Sequence, residues 1–315
     1  MIDVACVGIL VADIIISTVN EIPAKGLLYP VDSIEMYTGG NAMTAALNIK
    51  KMGLKTAIIG KVGNDMFGRF LKEKLDEKGV DTKGLSIDKD VCTSSSAVMV
   101  AKDGERSFLH CVGANGKFSI KDVNWAIIED AKIVFVTGTY LMDTFDGAQT
   151  AEFLKTCKEK GKITVLDVCY DSSGRWAQLL DEAMPYIDIF LPSIDEAKNI
   201  AGKDNLQEMS EEFFKKGVKS VVIKCGSDGC YAAESEASGG MMVATYKAEK
   251  VVDTTGAGDS FCSGFLAAYA RGKSFKECVE FANAAGTFNV MAKGATTGIK
   301  TFEETEKFIK INKGE

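Results

Sequence analysis

Apolar residues fall along this chain in two rhythms. Short Val/Ile-rich runs, apolar at nearly every position, read as strands buried on both faces. Longer stretches with apolar residues every three or four positions read as helices. The first run, Val4-Ala-Cys-Val-Gly-Ile-Leu-Val, predicts a strand ending at Asp13. A helix over Ala42 to Met52 follows the glycine pair Gly39-Gly40, and Gly53 stops it. A strand at Thr56–Gly60 and a helix from about Met66 to Lys78, ended by Gly79, come next. Strands then begin at Ile133, Ile163, Ile187 and Val221, and alternate with helices over about 147–160, 195–201 and 208–216. This alternation predicts an α/β fold, a mostly parallel central sheet sandwiched between helices.

Two stretches break the alternation. Residues 14–38 hold strand-like pieces and no helix, and residues 92–111 read as a hairpin turning at Lys102-Asp-Gly-Glu. They predict a small β-sheet lid from 14–38 and 92–111, on an α/β core from 1–13, 39–91 and 112–315. The alternative is two ordinary surface hairpins. An open edge on such a sheet needs covering, so a homodimer clasped through two lids is expected.

Composition narrows the function classes. The chain has 315 residues, 46% hydrophobic and 26% charged, which is globular composition. No apolar run reaches the ~18 residues of a membrane span, and no basic segment precedes the first one, so neither a membrane partner nor a signal peptide is predicted. A net charge of −7 argues against a nucleic-acid partner. Nine cysteines without a C-x-x-C pair predict reduced thiols in a cytoplasmic protein. The single histidine, His110, rules out a His-rich zinc site, and no G-x-S-x-G elbow accompanies it.

The segment Val251-Val-Asp-Thr-Thr-Gly-Ala-Gly-Asp-Ser-Phe carries the most chemistry. A glycine turn at a helix start exposes backbone N–H groups at the positive end of the helix dipole, which suits an anion. A carboxylate there, Asp259, repels that anion, and so asks for another role: accepting a proton from an attacking hydroxyl. The other reading is a tight turn with Asp259 as an ordinary helix cap.

The full D-T-T-G-A-G-D-S-F-x-x-G-F context resembles the C-terminal signature of the ribokinase-like sugar kinases, the PfkB carbohydrate kinase family. So do Gly39-Gly-Asn-Ala-Met-Thr-Ala-Ala-Leu, Gly60-Lys-Val-Gly-Asn-Asp-Met-Phe-Gly, Pro192-Ser-Ile-Asp-Glu-Ala and Ile223-Lys-Cys-Gly-Ser-Asp-Gly, in order, from about residue 3 to 300. The resemblance implies a three-layer sandwich with a β lid, and transfer of phosphate from ATP to a sugar hydroxyl with Mg²⁺. It implies Asp259 as base, with the backbone of Gly256, Ala257 and Gly258 as anion hole. Asp13, Gly39, Gly40 and Asn41 line the sugar site, and His110 and Asn115 are candidates for further substrate contacts. Lys224, Gly226, Gly229 and Asn283 fall at the nucleotide. Glu196 organises water around magnesium, and Asp253 and Thr255 match a loop that holds a monovalent cation such as K⁺ in many members.

Departures from the pattern fall at substrate-facing positions. Ser193 replaces an Asn, Thr44 replaces another, Asn41 stands where ribokinases have Lys, and Asp171 and the Arg175-Trp176 spacing depart from the fructokinase pattern. The sugar-contacting segments hold no Lys or Arg, and Arg106 and Arg175 are the only nearby cations, so an uncharged pentose, hexose or polyol is expected. A nucleoside kinase is the alternative, with Phe108 offering a surface for a base. A non-catalytic sensor would be expected to lack Asp259. A nicotinamide dehydrogenase would need G-x-G-x-x-G after the first strand, where Gly8-Ile-Leu-Val-Ala-Asp stands instead.

Overall fold

Successive side chains of a strand face opposite ways, and the first strand is apolar in both directions. Val4 and Cys6 enter one core and Ala5 and Val7 the other. This strand therefore belongs in the middle of a sheet covered on both faces. The structure is a computed structural model and describes residues 1–314. In chain order its strands are β1 (Ile2–Gly8), β2 (Val11–Ser17), β3 (Ser33–Gly39), β4 (Thr56–Gly63), β5 (Asp81–Asp88), β6 (Ser95–Val100), β7 (Arg106–Cys111), β8 (Ala131–Thr139), β9 (Ile163–Val168), β10 (Ile189–Phe190), β11 (Ser220–Lys224), β12 (Cys230–Ala233) and β13 (Met241–Val243). The α-helices are α1 (Asn41–Lys51), α2 (Met66–Glu77), α3 (Trp125–Asp130), α4 (Ala148–Glu159), α5 (Ile194–Ala201), α6 (Leu206–Lys215), α7 (Ala257–Ala270), α8 (Phe275–Val290) and α9 (Phe302–Lys313).

Among the described residues, nine strands form the large sheet in the order β13-β12-β11-β10-β9-β8-β1-β4-β5. Its pairs are parallel from β11 to β5, with β12 and β13 added antiparallel at one edge. Helices α1, α2, α7, α8 and α9 contribute to the core on one face, and α3, α4, α5 and α6 to the core on the other. Fully buried Phe135 and Phe265 lie in the first core, and Phe153, Phe190 and Phe213 in the second. Truncating one such Phe to Ala costs about 3–5 kcal/mol. No helix among the described residues is long and apolar enough to cross a membrane.

The two stretches that break the alternation pair with each other. β3-β2-β6-β7 form a separate four-stranded sheet. The register sets Tyr37, Asp13, Ser96 and His110 in one row across it. One boundary differs from expectation. The opening apolar run is broken at Ile9-Leu10, where the chain leaves the large sheet, so Asp13 lies in β2 of the small sheet instead of ending β1. The cause is a clamp: the buried amide of Asn115 donates to the Leu10 carbonyl at 2.9 Å and accepts from its N–H at 3.2 Å. That bends the chain where a β ladder would otherwise continue. Strand β5 has no forecast in the pattern. It is a half-exposed edge strand with Asp81, Lys83 and Asp88, and its apolar signal is diluted accordingly.

Candidate active site

In a parallel α/β sheet, ligands collect at the carboxyl ends of the strands, where helix N-termini converge. Here β9 delivers Asp167 and Cys169, the turn after β10 delivers Ser193 and Glu196, and β11 ends on Lys224. Helix α7 begins nearby. Its N-cap is Gly256, in the left-handed conformation at φ 73°, and no side chain caps it. Only glycine fits, because a Cβ at Gly256 would stand 2.3 Å from the Cβ of Ala295. The uncapped start of α7 opens on a cavity of about 610 Å³. Ala257, Gly258, Lys224, Gly226, Gly229 and Asn283 all line it. Asn283 donates its amide to the Val243 and Ala244 carbonyls at 3.1 and 3.3 Å, so it fixes the cavity's rim.

Asp259 sits one residue past that opening and caps nothing. Its Oδ1 accepts a hydrogen bond from Asn41 Nδ2 at 2.7 Å, and Asn41 Oδ1 accepts from the Cys169 thiol at 3.2 Å. The helix-cap reading of Asp259 is thereby set aside. Desolvation, with Asp167 close by, pushes its carboxyl up to about 7. Lys224 is paired with buried Asp167 at 2.6 Å and contributes a local positive charge beneath the α7 turn. Glu196 is half committed: one carboxylate oxygen accepts from the Ser193 N–H at 2.7 Å in a capping box. Ser193 therefore serves as the N-cap of α5 in place of the expected Asn. No set of three ligating side chains that could hold a metal ion by themselves occurs among the described residues. Asp167 is committed to Lys224 and the Thr137 hydroxyl, and the second oxygen of Glu196 suits an ion such as Mg²⁺, which keeps several waters and takes other oxygens from phosphate.

Across from this edge stands the small sheet. Strand alternation puts Asp13, Ile15, Ser96, Val98, Arg106, Phe108 and His110 on one face, and that face looks at the core, because Arg106 reaches the loop before α7. Burial pushes the Asp13 carboxyl up to about 6, while a hydrogen bond from Ser96 opposes the shift. Gly39 makes the approach possible: a Cβ there would stand 2.1 Å from Asp13 Oδ2. Ser96 Oγ is also 3.0 Å from His110 Nδ1. Burial lowers the His110 pKa and favours its neutral form.

One expectation is corrected. Asn115 does not contact an acceptor, since its amide is buried and committed to Leu10. Arg106 is not free for a substrate phosphate: its guanidinium lies 3.1 Å from Asp253 and also donates to the Thr255 hydroxyl. Both Asp253 oxygens are engaged, by the Thr255 and Gly294 N–H groups at 2.9 Å and by Arg106. Arg175 turns to Ser173 and Asp143. Sequence reasoning missed Ile15, Val98 and the Arg106 latch. The alternation of strand residues 14–17 and 95–100 held the signal for the first two, and the latch joins residues 147 positions apart.

Comparison with known proteins gives the family and the fold. The family model described as pfkB family carbohydrate kinase matches residues 1–301. The chain is 28% identical to the ATP-dependent 6-phosphofructokinase of Thermoanaerobacterium thermosaccharolyticum, covering 99% of this chain and 95% of that one. It is 29% identical to the ribokinase of Haemophilus influenzae, covering 86% and 87%. The structure of Arabidopsis thaliana ribokinase complexed with ribose and ATP superposes with a TM-score of 0.85 at 27% identity, covering 98% of this chain and 99% of that one.

Proposed function

The chain belongs to the pfkB family of carbohydrate kinases, and from that premise we propose that it transfers the γ-phosphate of ATP to a hydroxyl of an uncharged monosaccharide or polyol, with Asp259 as general base. One observation carries this reading. A carboxylate that caps nothing stands at an uncapped helix start that opens on a nucleotide-sized cavity, and Asn41 aims it. Asp13 accepts hydrogen bonds from the sugar's other hydroxyls, and the His110 ring offers a further polar contact. The reacting hydroxyl gives its proton to Asp259 as its oxygen attacks the γ-phosphorus and the bond to the departing ADP breaks. The N–H groups of Gly256, Ala257 and Gly258, and the Lys224 charge, stabilise the transferring phosphoryl oxygens. Glu196 would hold Mg²⁺ through water, and the ion would supply charge neutralisation at the phosphates.

The two arginines nearest the acceptor row are committed, Arg106 to Asp253 and Arg175 to Ser173 and Asp143, and this supports an uncharged acceptor. A nucleoside is the second reading. The row beyond Asp13 is apolar, with Ile15, Val98 and Phe108, and the Phe108 side chain stays exposed on the core-facing side. A ring can stack there. The opposite face of the small sheet carries Ile14, Ile16, Ile34, Met36, Met99 and Leu109. An uncovered apolar face of this extent supports a homodimer joined lid to lid.

The test is ADP release with fructose, ribose, a polyol and adenosine against fructose 1-phosphate, fructose 6-phosphate and tagatose 6-phosphate. A free sugar or polyol is expected to lead. A phosphosugar preferred by more than about tenfold in kcat/KM would defeat the uncharged reading, and adenosine in the lead would select the nucleoside.

A further inference from the structure

The hairpin β6–β7 meets the core at two necks. The chain enters through Cys92-Thr93-Ser94 and leaves through Cys111-Val112-Gly113. Both necks are pinned. Thr93 donates its N–H and its hydroxyl to Asp65 at 2.7 Å each. The Ser94 hydroxyl donates to the Val112 carbonyl, and the Ala114 N–H donates to the Cys92 carbonyl at 2.9 Å. Across this junction the sulfurs of Cys92 and Cys111 stand 3.7 Å apart.

Among the described residues these are the only exposed cysteines, and every other cysteine is buried or partly buried. A free cysteine ordinarily packs as a small apolar residue, and exposure forfeits that gain. Two thiols that face each other in solvent, at the root of a hairpin, have a different chemistry open to them.

We propose that Cys92 and Cys111 form a reversible disulfide that staples the two necks of the lid hairpin. A disulfide needs the sulfurs about 2.05 Å apart, so they must approach by about 1.7 Å, which side-chain rotation at exposed positions supplies. The oxidant is a low-molecular-weight disulfide, RSSR. One cysteine thiolate attacks an RSSR sulfur, an S–S bond breaks, and the departing RS⁻ takes up a proton as RSH. The second cysteine then attacks its partner's sulfur in the mixed disulfide and expels the other RSH. Two protein thiols are oxidised and one small disulfide is reduced. Since β7 also carries His110 and Arg106, fixing its root restrains both the acceptor row and the latch. The proposal holds whatever the acceptor is.

The full chain is incubated with oxidised glutathione and analysed by intact mass and by tryptic mapping without reduction. The expected product has lost two hydrogens, and joins the peptide 90–102 to the peptide 107–117. Dithiothreitol restores the starting mass. Cys92→Ser and Cys111→Ser each keep one stable glutathione adduct instead. Amide exchange over 106–111 is expected to slow by at least about threefold in the oxidised wild type, and not in either variant's adduct. Glutathione adducts without a cross-link in the wild type, a link through any other cysteine, or no reaction at all would overturn the site. Unchanged exchange over 106–111 would overturn the restraint on the lid.

Discussion

At the scale of single residues, Asp259 is the point where function and stability oppose each other. Its carboxyl titrates at about 7 in the folded protein against 3.8 as a free side chain. A base must be ionised to act, so kcat/KM is expected to fall as pH drops below about 7 and to level off above it. The stability linkage runs the other way. A raised carboxyl pKa favours the folded state fully below about pH 4, and that contribution is lost as pH rises through about 7. Asp259→Asn is therefore expected to abolish turnover by ~10²–10⁴-fold while leaving ATP binding intact, and to raise the melting temperature by a few degrees at pH 8. Calorimetry and a nucleotide-binding titration on the variant check both, and turnover within tenfold of wild type would remove Asp259 as base. Asn41 tests the geometry around it. Its hydrogen bond lowers the Asp259 pKa, so Asn41→Ala should shift the acidic limb of the pH profile upward and reduce kcat by about tenfold or more. A profile with an unmoved limb would show that Asn41 does not set the base.

At the scale of elements, the small sheet is held by two features of opposite kind. Its neck is built from local hydrogen bonds around Thr93, Ser94 and Asp65, and Asp65 also caps α2 by accepting from Gly68 N–H at 2.8 Å. Asp65→Ala removes the cap and the Thr93 anchor together, and should cost about 2 kcal/mol in chemical denaturation. The latch is one ion pair, Arg106 to Asp253, across the acceptor site. Arg106→Met should leave the fold intact and raise the acceptor KM by about tenfold, because the small sheet loses its charged contact while the neck keeps its own. If KM stays put under steady-state assay, the latch plays no part in holding the acceptor.

At the scale of the molecule, the two faces of the small sheet divide the work. One face carries Asp13, Ser96, His110 and Arg106 toward the core, and the other turns Ile34, Met36 and Leu109 outward, all of them exposed. The monomer mass is 33.8 kDa, and light scattering at micromolar concentration is expected to give twice that. Ile34→Asp should halve the mass by placing a charge in the apolar clasp. A wild-type monomer would refute the clasp.

The core of this architecture was legible because its physics is local. A strand apolar on both faces can only be interior, a glycine turn before a helix can only expose N–H groups, and a carboxylate beside them has few roles. Thus β1, α1 and the glycine turn that opens α7 could be read directly from residue order. The small sheet was legible as a break in rhythm. Tertiary structure alone decided what depends on distance across the fold. It paired Asn41 with Asp259, turned Asn115 from a substrate contact into a clamp on Leu10, and committed Arg106 to Asp253. Those residues lie far apart in the chain, and nothing in their own neighbourhoods differs from that of an unpartnered Asn or Arg. Hydrophobic period fixes which face of an element is buried. It carries no information about which polar groups will meet once the elements pack, because those meetings depend on distance across the fold.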